Sequence, residues 1–276
     1  MKSSPSARRL TRLAIPLAGI AAATALTAGT AAQASAPAAP ARAAVAADPI
    51  PTFDFADCPV LPAKYVKLGS TCFNAVVTSG RFALGKFDQS ITSPIRMTFA
   101  TALDPETQLY TPIFGKMRAD KMLVRPGIFG DPILSAVYAK PEYAGVFDQP
   151  VSPDYKLKLG LKIRLTNPFL GGTCLIGDDS NPITLNLTTG TTSPPAGTAP
   201  ITGVPAKIVV KAPPLIVRSA THVDNTFSVP GAKGCALNIG LVNAIVNNQA
   251  GVPSAAGKSS MVFNEYIGAK SYTALP

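Results

Sequence analysis

The chain has 276 residues with 25 Lys and Arg against 15 Asp and Glu, a formal net charge of +10, and its charged fraction of 14% lies well under the roughly 25% of an average soluble domain. Apolar residues make up 47%, which excludes the weakly apolar, charge-rich composition of a disordered protein. Twenty-seven prolines exclude a long helical or coiled-coil architecture, because proline breaks a helix interior.

Residues 1–34 read as a secretory signal peptide. Lys2, Arg8, Arg9 and Arg12 make a basic start, Leu13–Ala31 is an apolar, Ala-rich run, and Ala32-Gln33-Ala34 supplies the small-x-small cleavage pattern. The run could just span a bilayer as an uncleaved anchor, but Ala, Thr, Gly and Pro make it weakly hydrophobic, so cleavage after Ala34 is expected. No cysteine follows the run to accept a lipid. Arg8-Arg9 is followed by Thr11 and Arg12, where a twin-arginine signal wants apolar residues, so the general secretory route is expected. Removing this segment leaves 21 basic against 15 acidic groups, net +6. Residues 35–52 form an Ala/Pro-rich tether that cannot bury a core, and 53–276 are expected to form a single secreted β-rich domain.

Cys58, Cys72, Cys174 and Cys235 all lie in that domain. An even number in an oxidising compartment points to two disulfides; three pairings are possible, with Cys58–Cys72 and Cys174–Cys235 preferred. Zinc is disfavoured, since there is no close Cys-x-x-Cys pair and His222 is the only histidine.

Along the domain, short apolar segments alternate with turn residues. Strands are predicted at Phe73–Val77, Ile95–Leu103, Gln108–Phe114, Ile133–Ala139, Lys156–Leu165, Ile183–Thr188, Lys207–Lys211, Leu215–Val229 and Met261–Ala269. The clearest is Lys156–Leu165, where Leu and Ile alternate with Lys156, Lys158, Lys162 and Arg164, giving one apolar and one cationic face. Asp104-Pro105, Pro126-Gly127, Gly171-Gly172 and Pro230-Gly231 punctuate the strands. Thr189–Pro205 reads as an exposed Thr/Pro/Gly loop. Leu237–Asn248 is the one helix, ended by Gly251 and Pro253, with most of its surface expected against the sheet. Together these predict a mainly β fold, an antiparallel β-sandwich, with a curved sheet or open barrel around the short helix as the alternative.

Cys58-Pro59, Thr173-Cys174-Leu175-Ile176-Gly177, the run from Asn181 to Thr192, Val229-Pro230-Gly231-Ala232, Gly234-Cys235 and the run from Gly251 to Lys258 resemble a group of actinobacterial secreted proteins of uncharacterised function. The resemblance implies export and a cysteine framework. It transfers no functional residue.

Hydrolytic motifs do not occur: there is no Gly-x-Ser-x-Gly elbow and no Ser-x-x-Lys pair. His222 and Asp224 are two apart, a poor spacing on a strand for an acid to orient a base, and are read as a polar pair on an exposed face. Carboxylates such as Asp54, Asp57, Asp104, Glu106, Asp131, Glu142 and Glu265 cannot be paired from sequence, and the absence of tryptophan weakens a sugar-processing role. Asp178-Asp179-Ser180-Asn181 lacks calcium-loop spacing and reads as a turn after Gly177. No phosphate or dinucleotide fingerprint occurs, and no cofactor or metal is implied.

The basic residues carry more. Lys156, Lys158, Lys162 and Arg164 repel one another along one face unless something anionic or solvent meets them, and Lys116, Arg118, Lys121 and Arg125 form a second cluster. Outside a cell the partner would be an anionic wall polymer, an acidic glycan or lipid headgroups; nucleic acid is not expected without interleaved aromatics, nor is a transmembrane span once the signal is removed. The functional expectation is therefore a non-enzymatic, secreted or envelope-associated binding protein. A carrier of a lipid or other apolar ligand is the alternative, and a hydrolase of unidentified mechanism the third.

Overall fold

The computed structural model describes residues 49–124, 136–150 and 152–276. The signal segment, nearly all of the tether, Arg125, Asp131 and the first part of the predicted strand Ile133–Ala139 lie outside the described residues. Two antiparallel sheets pack face to face as a sandwich. The first contains β1 (Val66–Leu84), β2 (Phe87–Ser90), β3 (Ile95–Leu103), β4 (Tyr110–Ala119), β10 (Val204–Ala212), β11 (Leu215–Asp224) and β13 (Ser260–Ser271), in the order β10-β11-β13-β1-β3-β4 with β2 beside β1. The second contains β5 (Met122–Leu123), β6 (Tyr138–Asp148), β7 (Leu157–Thr166), β8 (Leu175–Ile176), β9 (Ile183–Leu187) and β12 (Ala232–Lys233), in the order β12-β8-β7-β6-β5 with β9 also on β7.

Alternation of side chains sets which face each strand buries. In β7 the odd positions Leu157, Leu159, Leu161, Ile163 and Leu165 enter the core; Ile183, Leu185 and Leu187 of β9 do the same. Opposite them stand Ala75 and Val77 of β1, Ile95 and Met97 of β3, and Met261 and Phe263 of β13. An aromatic seam joins the sheets where β4 meets β6: Phe114 stacks on Tyr143 at 3.7 Å between centroids, and Phe147 packs against both Phe99 and Phe114.

The 19-residue β1 bends at a bulge between Val77 and Ser79. Gly80 follows with φ +147°, and a Cβ there would lie 2.0 Å from the Val262 carbonyl oxygen, so this crossing requires glycine. A second, smaller core covers the outer face of the first sheet. Phe55, Cys58 and Leu61 pack there with Cys72, Ala100, Ile113, Tyr272 and Leu275, tied by the Cys58–Cys72 disulfide. Tyr272 donates to the Pro59 carbonyl at 2.7 Å, and burial pushes its phenol up to about 12. Both cores and both disulfides lie within residues 49–276, so this portion carries its own interior.

The helix α1 (Gly240–Ala250) ends at Gly251 in the left-handed conformation, as the sequence predicts. Its burial differs from expectation: only Val246 and Ala250 are buried, while Leu241 and Ile245 face solvent. The sheets meet each other directly, so the helix sits at the margin of the sandwich and is not enclosed. Among the described residues no helix is long and apolar enough to cross a membrane.

Candidate ligand clefts beside the basic strand

β7 lies centrally in its sheet, so its even positions form the outer face of the sandwich. The four sequence-predicted cations meet different surroundings there. Arg164 is bound bidentately to Glu142 of β6, at 2.8 and 2.9 Å, and also donates to the Gly172 carbonyl at 2.7 Å. Its guanidinium hydrogen bonds hold the Glu142 carboxyl below the usual carboxylate range against the opposing effect of burial. Lys162 donates to Asp179 at 2.6 Å. Half of the stripe is thus neutralised by carboxylates on neighbouring segments, which alternation within β7 alone could not reveal. Arg164→Gln is expected to cost about 1–2 kcal/mol, read by urea denaturation, because it replaces two charge-assisted hydrogen bonds.

Lys156 and Lys158 are exposed and make no ion pair among the described residues. They line a polar cleft of about 380 Å³ together with Asp148, Asp154, Asn186, Thr191 and Ser193. A second cleft of about 410 Å³ is lined by Thr71, Thr101, Tyr110, Gln149, Tyr155 and Lys156. Lys156 and Pro150 border both. Tyr110 and Tyr155 are among the exposed large side chains, so two aromatic rings flank the second cleft. Neither tyrosine stands out in sequence as a site residue.

Asp154 and Tyr155, which line the clefts, are held by hydrogen bonds from other elements. The Asp154 carbonyl accepts from Thr189 N at 2.9 Å and from the Thr189 hydroxyl at 2.8 Å. The Tyr155 carbonyl accepts from His222 Nε2 at 2.7 Å, with Tyr155 itself at φ +44°. His222 Nδ1 lies 2.5 Å from Glu265 Oε1 on β13, and both side chains are almost wholly buried. The Tyr155 carbonyl can only accept, so His222 donates to it from Nε2, and Nδ1 shares the hydrogen bond to the Glu265 carboxyl. Burial alone would push its pKa down, but the Glu265 carboxylate and the Tyr155 carbonyl outweigh that and raise it above 6.5.

This corrects the expectation of a His222–Asp224 pair on an exposed face. Both residues are buried, and Asp224 serves other groups: it accepts from Asn186 N at 2.6 Å and from Thr226 N and Oγ1 at 2.7 Å. Burial nevertheless pushes the Asp224 carboxyl up. With both ring nitrogens hydrogen-bonded, His222 holds a loop from within the core.

The second predicted cluster is also partnered. Asp57 meets Arg118 at 2.5 Å and Lys116 at 3.7 Å, and Lys121 lies over the Tyr138 ring. Asp178 closes the expected turn, accepting from Ser180 and Asn181, which holds its carboxyl at about 2. Among the described residues no group of three or more His, Cys, Asp or Glu side chains could hold a metal ion. Between the sheets, Phe82, Phe87, Met122, Ile163 and Ile176 border an apolar hollow of about 50 Å³. A site for a drug-sized ligand runs to about 300–1,000 Å³. Compared with family models, curated proteins and solved structures, the chain matches none.

Proposed function

We propose that the protein is an extracellular, envelope-associated binding protein whose ligand is an anionic, hydroxyl-rich polymer lying across the two clefts. The observation that carries this reading is Lys156, exposed, without an ion pair among the described residues, and bordering both clefts. Lys158 adds a second cation within the first cleft, while Lys162 and Arg164 belong to the sheet's own ion pairs. Thr, Ser and Asn side chains around these lysines offer donors and acceptors for hydroxyls, and Tyr110 and Tyr155 offer faces against which a sugar or glycerol unit can pack. Asp148 and Asp154 make the first cleft less cationic than the sequence stripe suggests, and favour a ligand that combines hydroxyls with well-spaced negative charge. Two disulfides fit an oxidising, extracellular setting. The hollow between the sheets is too small to support the alternative of an apolar-ligand carrier.

The test is binding of residues 49–276 to immobilised poly(glycerol phosphate), with dextran as the uncharged control, across a salt series. Retention on the phosphate polymer that falls steeply with salt is expected. Lys156→Gln/Lys158→Gln should weaken it about tenfold or more, whereas Lys162→Gln should change it less than about twofold, since that ammonium already faces Asp179. Equal retention of all variants, or none at low salt, would overturn the reading.

A further inference from the structure

Helix α1 is partly inverted for a helix at a protein surface, with asparagines among its inward side chains and leucine and isoleucine among its outward ones. Two of its three asparagines face the protein: Asn243 Oδ1 accepts from Cys235 N at 3.0 Å, and Asn247 Oδ1 accepts from Ala232 N at 2.6 Å, while Asn248 is exposed. Two of its large apolar side chains, Leu241 and Ile245, face water, while Val242 and Val246 pack inward. Leu241 is 71% exposed and Ile245 37%, four apart on one face of α1, and Leu237 (92%) and Ile239 (54%) are exposed in the segment that leads into it. Phe169, 67% exposed, joins the same end through the bond from Ala236 N to the Leu170 carbonyl.

The segment leading into the helix is independently unusual. Ala236, Leu237 and Asn238 are three successive non-glycine residues with positive φ, at 48°, 62° and 67°. L-residues adopt this region at a cost and persist there only where the surroundings fix them. Here the surroundings do so. Asn238 Oδ1 accepts from Gly234 N and Asn243 Nδ2, and Cys235 is bonded to Cys174. The result is a rigid left-handed turn that holds a leucine out in water.

A lysine stands at each end of this stripe, the one before the turn also facing a carboxylate. From Gly234 to Gly257 there is no charged residue. Lys86, exposed at the C-terminal end of α1, donates to the Asn248 carbonyl at 2.9 Å. Lys233, exposed in β12, stands before the left-handed turn; it also reaches Asp178 at 3.5 Å, whose carboxylate closes its own turn. Apolar side chains projecting from an uncharged helix, with lysines at both ends, match a bilayer interface whose headgroups are anionic. We propose that the α1 end of the sandwich docks on an anionic lipid surface, with Phe169, Leu237, Leu241 and Ile245 entering the interface and Lys86 and Lys233 at headgroup level. This surface is distinct from the polymer clefts, and the two readings stand or fall separately.

The experiment is co-sedimentation of residues 49–276 with vesicles of phosphatidylglycerol and phosphatidylcholine, compared with phosphatidylcholine alone. The protein is expected to sediment with the anionic vesicles. Leu237→Ser/Leu241→Ser/Ile245→Ser should lower partitioning at least about tenfold while leaving the melting temperature nearly unchanged, because these side chains contribute little to the core. Lys86→Gln/Lys233→Gln should weaken binding to the anionic vesicles, and Lys156→Gln/Lys158→Gln should leave it unaltered. No sedimentation of the parent, or equal sedimentation of the leucine variants, would overturn the proposal. So would a dimer in sedimentation velocity that the serine variants disperse without vesicle binding, which would make the stripe a contact between two copies.

Discussion

Replacing Glu265 with alanine is expected to cost about 3–5 kcal/mol of folding free energy, the range for breaking a buried ion pair by removing one partner. The loss exceeds that of a surface pair because both His222 and Glu265 are almost fully buried, so the ring left behind loses its hydrogen-bonded partner where no water replaces it. The same pair gives stability a pH dependence with a definite sign. His222 has a folded pKa above its ordinary 6.5, so its contribution is complete below about pH 6.5 and is lost as pH rises through the folded value. Asp57, Glu142 and Asp178 have lowered values through their hydrogen-bond partners. Their contributions are present above the ordinary carboxylate range and are lost as pH falls through the folded values. Urea unfolding of the parent should therefore give a midpoint highest in mildly acidic solution and falling toward pH 9. In Glu265→Ala the alkaline fall should disappear, since burial without a carboxylate favours the neutral ring. An unchanged alkaline slope would mean that another group sets it. His222→Leu/Glu265→Leu, which removes both charges together, should be milder than Glu265→Ala.

Loss of the Cys174–Cys235 disulfide is the second large effect. Its partners are 61 residues apart, and the loop-entropy relation gives about 4 kcal/mol for a loop of that size, against about 3 kcal/mol for the 14-residue Cys58–Cys72 loop. Alanine is the appropriate replacement, because Cys174 and Cys235 are wholly buried and serine would bring an extra hydroxyl into the core. Cys174→Ala/Cys235→Ala is expected to lower the urea midpoint more than Cys58→Ala/Cys72→Ala. Equal midpoints would show that local packing, and not chain closure, dominates.

Much of the sheet structure is legible wherever apolar and polar residues alternate. Ile95–Leu103 is found with its predicted bounds, and Lys156–Leu165 and Met261–Ala269 lie within two residues of β7 and β13. β1 was visible only at Phe73–Val77, because Gly69, Gly80 and the polar residues between Thr78 and Arg81 interrupt its pattern. Those interruptions are the bulge and the crossing over Val262. β6 is hidden by Pro141, which reads as a strand breaker. β5 pairs only with Tyr138 and Ala139, so at Pro141 the strand has β7 on one side and an open edge on the other, where a missing N–H costs little.

The candidate site was less legible, for a reason of register. Glu265 occupies a core-facing position in the series Met261, Phe263, Ile267 and Ala269, and His222 follows Ala220 on the inward face of β11. A single charge within each apolar series was the available sign of a buried pair. Its partner lies 43 residues away and becomes visible only when β11 and β13 are aligned. The clefts depend on Tyr110, Tyr155 and the threonines after β9, which three separate connections bring together. The helix misled because apolar periodicity identifies an apolar face without saying that it meets the core.

The first and last long strands, β1 and β13, are neighbours in the middle of the first sheet, with Thr71 opposite Ser271 and Ala83 opposite Ser260. Everything between them must be made before that pairing can form. A chain emerging from a ribosome therefore stays without its central ladder until Ser260–Ser271 has appeared. Such late closure makes β13 the strand on which the centre of the first sheet waits. A product truncated before Ser260 would leave β1 and β11 as open edges, a substrate for proteases in place of a nearly finished protein.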